Sequence, residues 1–276
     1  MAYAFEHDEP LSVAIPRLMH EQIARAREQL TDKSAPQEKR VHDARKRFKE
    51  TRALLRMIRE PLGGQFAIEN AWFRDAGREL AAVRDADAVL EALEKLVDLP
   101  RGVRTKVKRA LKKNRAHSPL DGLIANMLDQ LVVAQARVDL WPAMADSFDT
   151  IAGGLQKTYR DGRRAMKDAH SAEALHEWRK AVKTHWYHLQ LLRNIWPLLM
   201  KAHAGALDEL SHALGDHHDL HVLAGSVDPA PPELLDAIAK RQRELEAQAL
   251  ALGARIYAER PRAFLARMRN WWSAWR

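Results

Sequence analysis

The sequence predicts an all-α chain built from two related helical bundles around a basic groove or cavity. Three observations carry that prediction. Apolar residues recur at spacings of three and four, as in Leu120, Leu123, Ile124, Met127, Leu128 and Leu131, and no segment alternates as a strand would. Gly and Pro together make 24 of the 276 residues, about 9%, against a usual 12% or so, which disfavours a turn-rich β chain. A basic motif recurs 134 residues after its first appearance.

The helices follow in order. The first is expected at 11–31. Ser34 and Pro36 open a second at 36–60, and three more follow at 66–82, 85–97 and 102–115. Ser118 and Pro119 open 119–139, and Pro142 opens 142–168, where Gly153-Gly154 marks an expected bend or break. Ser171, with Glu173 in the first turn, opens 172–194. Two helices are expected at 198–214 and 218–225, then a loop at Asp228-Pro-Ala-Pro-Pro. Pro231 and Pro261 open the last two, 232–258 and 262–275.

The chain is long enough, and at 46% hydrophobic apolar enough, to bury a core. It has no cysteine, which excludes a disulfide scaffold, a thiol nucleophile and a Cys-ligated zinc site. It has no run of 18 apolar residues and no signal-like start, so an intracellular, cytoplasmic chain is expected.

The net charge is +8, but it is unevenly placed. Residues 100–117 carry +8, 39–60 carry +6 and 157–193 carry +5, so the rest of the chain carries −11. Such segregation creates a directed field and points to an anionic partner.

Two of these segments share the repeat. Sliding the chain by 134 places His42 on His176, Arg45 on Arg179, Lys46 on Lys180 and Lys49 on Lys183. The same offset places Leu55 on Leu189, Arg59 on Arg193, Leu80 on Leu214 and Asp85 on Asp219. Two halves, about 10–140 and about 142–275, are therefore expected within one domain spanning 1–276, related by a pseudo-two-fold axis.

Spacing puts His42, Arg45, Lys49, Arg52, Arg56 and Arg59 on one helix face, beside an apolar stripe of Val41, Ala44, Phe48, Leu55, Ile58 and Leu62. Like charges so placed repel, and they cannot be buried dry without an anion or water. From Arg45 to Arg59 the stripe spans about 21 Å, suited to an extended polyanion. The second copy contributes His176, Arg179, Lys180, Lys183 and Arg193. Arg160, Arg163, Arg164 and Lys167 lead into it and are expected to flank the same groove. The segment 100–117 is either a further electrostatic collar or a solvated hairpin.

The duplicated His-x-x-Arg-Lys-x-x-Lys motif resembles the CHAD domain, the conserved-histidine α-helical domain. So do Val83-Arg-Asp-Ala-Asp-Ala-Val-Leu90 and Leu214-Gly-Asp-His-His-Asp-Leu220. The resemblance runs from about residue 10 to 270. It implies two related bundles around a basic central cavity that binds inorganic polyphosphate through the motif His, Arg and Lys, and association with polyphosphate granules. The family commonly has Lys-x-x-Arg-Tyr where this chain has Lys183-Thr-His-Trp186-Tyr187, so Tyr187 is carried over and Trp186 replaces a cation. Many members carry a triphosphate-tunnel domain with a Glu-x-Glu-x-Lys signature, which is absent here, and its hydrolase chemistry is not carried over.

No enzyme, cofactor or metal is expected. His217 and His221 sit at i,i+4 but lack the glutamate a zincin motif needs, and Asp219, like Asp85, is expected to orient a motif cation or His. His42 and His176 are expected as titratable hydrogen-bond donors to phosphate. Met268, Trp271, Trp272 and Trp275 form an apolar stripe for docking on the bundle, with a membrane-surface role as its rival. Two other functions compete with polyphosphate binding. One is nucleic-acid backbone binding by the same surface, against which no reader motif or aromatic platform is found. The other is a phosphohydrolase or its accessory subunit, disfavoured by the lack of metal ligands.

Overall fold

The computed structural model describes residues 3–80, 85–113 and 121–276, without the side chains of 85–88, 112, 113 and 121. All regular structure among the described residues is helical. In chain order the helices are α1 (Leu11–Thr31), α2 (Gln37–Met57), α3 (Arg59–Leu62), α4 (Gly64–Glu79), α5 (Asp85–Lys95) and α6 (Arg101–Lys113). They continue as α7 (Asp121–Val138), α8 (Asp149–Lys167), α9 (Ala172–Leu191), α10 (Pro197–Gly225), α11 (Pro232–Ile256) and α12 (Pro261–Trp275).

α1 lies between α2 and α7, α2 also packs on α4, and α10 lies between α9 and α11. The two parts of the chain meet where α2 crosses α8 and α9. The predicted apolar stripe is core: Val41, Ala44, Phe48 and Leu55 of α2, Ile58 at its end and Leu62 of α3 are all buried. α9 buries Leu175, Trp178, Val182 and Leu189, with Trp178 lying against Gly253 of α11. Burying one such side chain contributes about 1.5–3 kcal/mol. That inward stripe fixes the rotation of α2 about its own axis, and so fixes where its cations point.

Three helix assignments differ from the sequence expectation. The helix expected over 36–60 ends at Met57, turns at Ile58 and resumes as the short α3. Pro142 opens no helix, and α8 starts only at Asp149. The intervening segment serves α1 instead: the Leu11 N–H donates to the Asp146 carboxylate at 2.9 Å, supplying a partner that Pro10 at the helix start cannot. The expected helices 198–214 and 218–225 are one, because α10 is sandwiched between α9 and α11 and packing outweighs the cost of Gly215, about 1 kcal/mol.

Gly153-Gly154 does not break the helix. α8 is continuous from Asp149 to Lys167, and the glycines permit close contact. A Cβ on Gly154 would lie 2.1 Å from the Met57 carbonyl oxygen. The pair thus seats α8 directly on the C-terminal end of α2.

Ser171 caps α9 as expected, accepting from the Ala174 N–H at 3.2 Å. α12 is packed on α8 through buried Phe264, Met268 and Trp272. In α6, Arg104 donates to the Leu93 carbonyl at 2.7 Å and also to that of Leu96, and Lys108 meets Glu94 at 2.6 Å. Part of that basic segment therefore closes the end of α5, while 114–117 and the side chains of Lys112 and Lys113 lie outside the described residues. No described helix is long and apolar enough to cross a membrane.

Candidate functional site

A cavity of about 480 Å³ opens between α2, α4 and α9. From α2 it takes Arg45, Phe48, Lys49, Arg52 and Arg56. From α9 it takes His176, Arg179, Lys180, Lys183, Thr184 and Tyr187. These come from both copies of the sequence motif. α4 adds Phe73, Arg74, Gly77 and Arg78. Nine Arg and Lys side chains therefore converge on one space.

Two hydrogen bonds link α2 and α9, one from Arg56 and one from His188. Arg56 Nη1 donates to Thr184 Oγ1 at 2.7 Å, and that hydroxyl donates to the Lys180 carbonyl at 2.9 Å. Deeper, His188 Nε2 donates to the Ala53 carbonyl at 2.8 Å. His188 is fully buried, and burial pulls its imidazole down to about 4, so it is neutral and rigid at neutral pH.

The cations bear the mark of crowding. Burial, then Arg56, Arg74 and Arg78, push the Arg52 guanidinium down to about 10. Burial also lowers Arg56, with Asp161 opposing. Lys183 is lowered by burial, against the pull of Asp208, whose carboxylate lies 3.5 Å away. Its ammonium sits 4.3 Å over the Trp186 ring. All three remain charged at neutral pH. A site that desolvates charges it does not fully pair stabilises whatever anion enters.

Arg179 lies flat on α10. Its Nε would be 3.1 Å from a Cβ on Gly215, and that Nε is buried without a partner among the described residues. Asp219 is half-buried nearby; burial pushes its carboxyl up while Arg179 pulls it down. No direct hydrogen bond joins the two. The Asp85 side chain lies outside the described residues.

Other expected residues are not brought to the cavity. His42 is half-buried on α2 and Lys46 is exposed; neither lines it, although the charge of Lys46 reaches Lys183. Arg59, carried round by the turn at Ile58, stacks 4.9 Å over Phe66 and lines a neighbouring cavity of about 370 Å³ with Lys157, Asp161 and Glu177. The cavity-lining stripe on α2 therefore runs from Arg45 to Arg56, about 16 Å at 1.5 Å per residue, not 21 Å. Arg193 lies in a separate groove with Trp186 and Gln190.

The α8 cations do not flank the cavity. Arg163 donates to the Tyr257 carbonyl at 3.1 Å, Arg164 faces Asp168 at 3.5 Å, and Arg160 and Lys167 are exposed. α8 turns its other face to α2 and α9, so these side chains point to α11 or to solvent.

The sequence reading missed Arg74 and Arg78. They sit at i,i+4 on α4, a spacing that could have flagged them, but Glu69, Asp75 and Glu79 outweigh them in the charge of that segment. Asp75 pairs with Arg74 at 2.8 Å and Arg78 at 3.5 Å.

The histidine run on α10 is divided in its tasks. Buried His217 meets Glu246 at 3.0 Å through Nε2. His218 stacks on His176, ring centroids 3.9 Å apart at 29°. No group of three or more His, Asp or Glu among the described residues is arranged to hold a metal ion.

Residues 17–228 match the family model of the CHAD domain. The chain belongs to the CHAD domain family. Its fold agrees: a crystal structure of the CHAD domain from the plant Ricinus communis superposes with a TM-score of 0.53 at 21% identity, over 100% of this chain and 96% of that one. No match was found among curated proteins. CHAD membership makes phosphate-rich anions the ligand class of first interest, and in this CHAD chain residues from both motif copies line one cavity.

Proposed function

We propose that this chain is a non-enzymatic binding module for inorganic polyphosphate, held in the α2–α4–α9 cavity and carried by that binding to polyphosphate granules in the cytoplasm. The observation that carries the reading is convergence. Arg45, Lys49, Arg52 and Arg56 face Arg179, Lys180 and Lys183 across one space, with Arg74 and Arg78 at its side. The equivalence of the motif copies suggests two halves related by a pseudo-two-fold axis, each presenting cations to the same chain. A polymer with a charge at every unit satisfies many fixed cations at once, whereas a single phosphate satisfies few.

Competition at 0.15 M salt between long-chain polyphosphate, pyrophosphate, single-stranded RNA and duplex DNA tests the proposal. Long-chain polyphosphate should win, with pyrophosphate weaker. Tighter binding of RNA or DNA would transfer the cavity to nucleic acid and end the polyphosphate reading. Arg45→Ala with Lys49→Ala removes two charged contacts worth about 1.5–3 kcal/mol each. That variant should lose at least tenfold in polyphosphate affinity and the ligand-induced rise in Tm, with helix content by circular dichroism unchanged.

A further inference from the structure

His218, on α10, is not among the side chains that line the cavity. Its ring nevertheless covers that of His176, which does line the cavity, at 3.9 Å and 29°. Nδ1 of His176 is buried with no partner among the described residues. Both rings of the pair are titratable, and the unpartnered nitrogen belongs to the ring that lines the cavity.

The surrounding charges agree. On α9, His176 faces Lys180 and Arg179 together with Glu177. Glu177 is engaged with Lys180 at 2.6 Å. On α10, His218 faces His217 and His221 as well as Arg179. Asp216 and Asp219 lie on the same helix; Asp216 is held by Lys95 of α5 at 2.9 Å, beside Glu91, and Asp219 by the field of Arg179. Glu246 of α11 meets His217, not His218. The empty pair is thus dominated by cations, and burial together with those cations lowers both rings, His218 to about 4. A phosphate chain neutralises Arg179 and Lys180 and reverses that field. Two imidazolium rings stacked this closely repel, so one proton satisfies the pair.

We propose that binding of a phosphate chain in the cavity is coupled to uptake of one proton by the His176–His218 stack. This rests on the polyphosphate reading and adds a regulation to it: affinity rises as pH falls. For one proton the rise approaches about tenfold per pH unit between the two titration midpoints.

Calorimetric titration with long-chain polyphosphate tests it, at pH 6.5 in two phosphate-free buffers of different ionisation enthalpy. The protein should take up protons on binding. The double variant His176→Phe with His218→Phe keeps a stacked aromatic pair and should take up about one fewer. Histidine ¹⁵N NMR of the unaltered protein gives a second reading that needs no variant, with one ring of the pair becoming protonated on adding polyphosphate at pH 6.5. Binding with equal uptake in both proteins, a difference of two protons, or no change in the NMR signals overturns the coupling alone. Absence of binding at every pH overturns the polyphosphate reading and the coupling with it.

Discussion

Lys183 shows how a single cation is prepared for an anion. Its ammonium is half-buried, 4.3 Å over Trp186 and 3.5 Å from Asp208. Read by sequence, Trp186 is a lost cation. Read by contact, it is the surface on which Lys183 rests. Trp186→Leu removes a cation–π contact worth about 0.5–2 kcal/mol. Polyphosphate affinity should fall roughly two- to thirty-fold, measured as Kd, while Trp186→Tyr should retain most of it. The motif cations were legible because their spacing is local. The support beneath them was not, because Asp208 and Gly215 reach them from α10, 25 or more residues along the chain. Arg74 and Arg78 escaped for the opposite reason: Glu69, Asp75 and Glu79 close by outweigh them in the charge of that segment.

Helices were legible wherever their own periodicity defines them, as for α2, α7 and α9. Their ends were legible only where a neighbour in sequence caps them, as Ser171 does for α9. Asp146, shortly before α8, serves the start of α1 instead, a contact across 135 residues. The glycine pair in α8 reads as a breaker in sequence and is a seat in space. Gly154→Ala forces its Cβ onto the Met57 carbonyl oxygen, and backbone there cannot yield cheaply. Unfolding in urea should show a loss of about 1–3 kcal/mol, with affinity reduced as well because the end of α2 shifts. At Gly205 a Cβ meets nothing within 4 Å, so Gly205→Ala should leave stability unchanged or improve it by about 0.4–1 kcal/mol.

The whole molecule carries an acid sensitivity of its own. Burial holds His188 and His203 at about 4, and His185 well below the usual value. Each depressed imidazole binds fewer protons folded than unfolded, so stability is full above about pH 6.5 and is lost as pH falls towards 4. Glu50 and Asp219, pushed up by burial, act in the opposite sense, but the three imidazoles outnumber them. Scanning calorimetry from pH 7.5 to 4.5 without ligand should show Tm falling steadily below pH 6.5. A constant Tm would contradict the neutral, buried state of these rings.

Crowding around Arg52 has a thermodynamic corollary. Arg56, Arg74 and Arg78 repel it, and burial strips it of water. Replacing it by an uncharged residue of similar volume therefore removes a penalty from the empty protein and a contact from the filled one. Arg52→Met should raise the ligand-free Tm while weakening polyphosphate binding, the two measurements moving in opposite directions. A cavity of this kind trades resting stability for affinity, and variants selected only for heat resistance would discharge it.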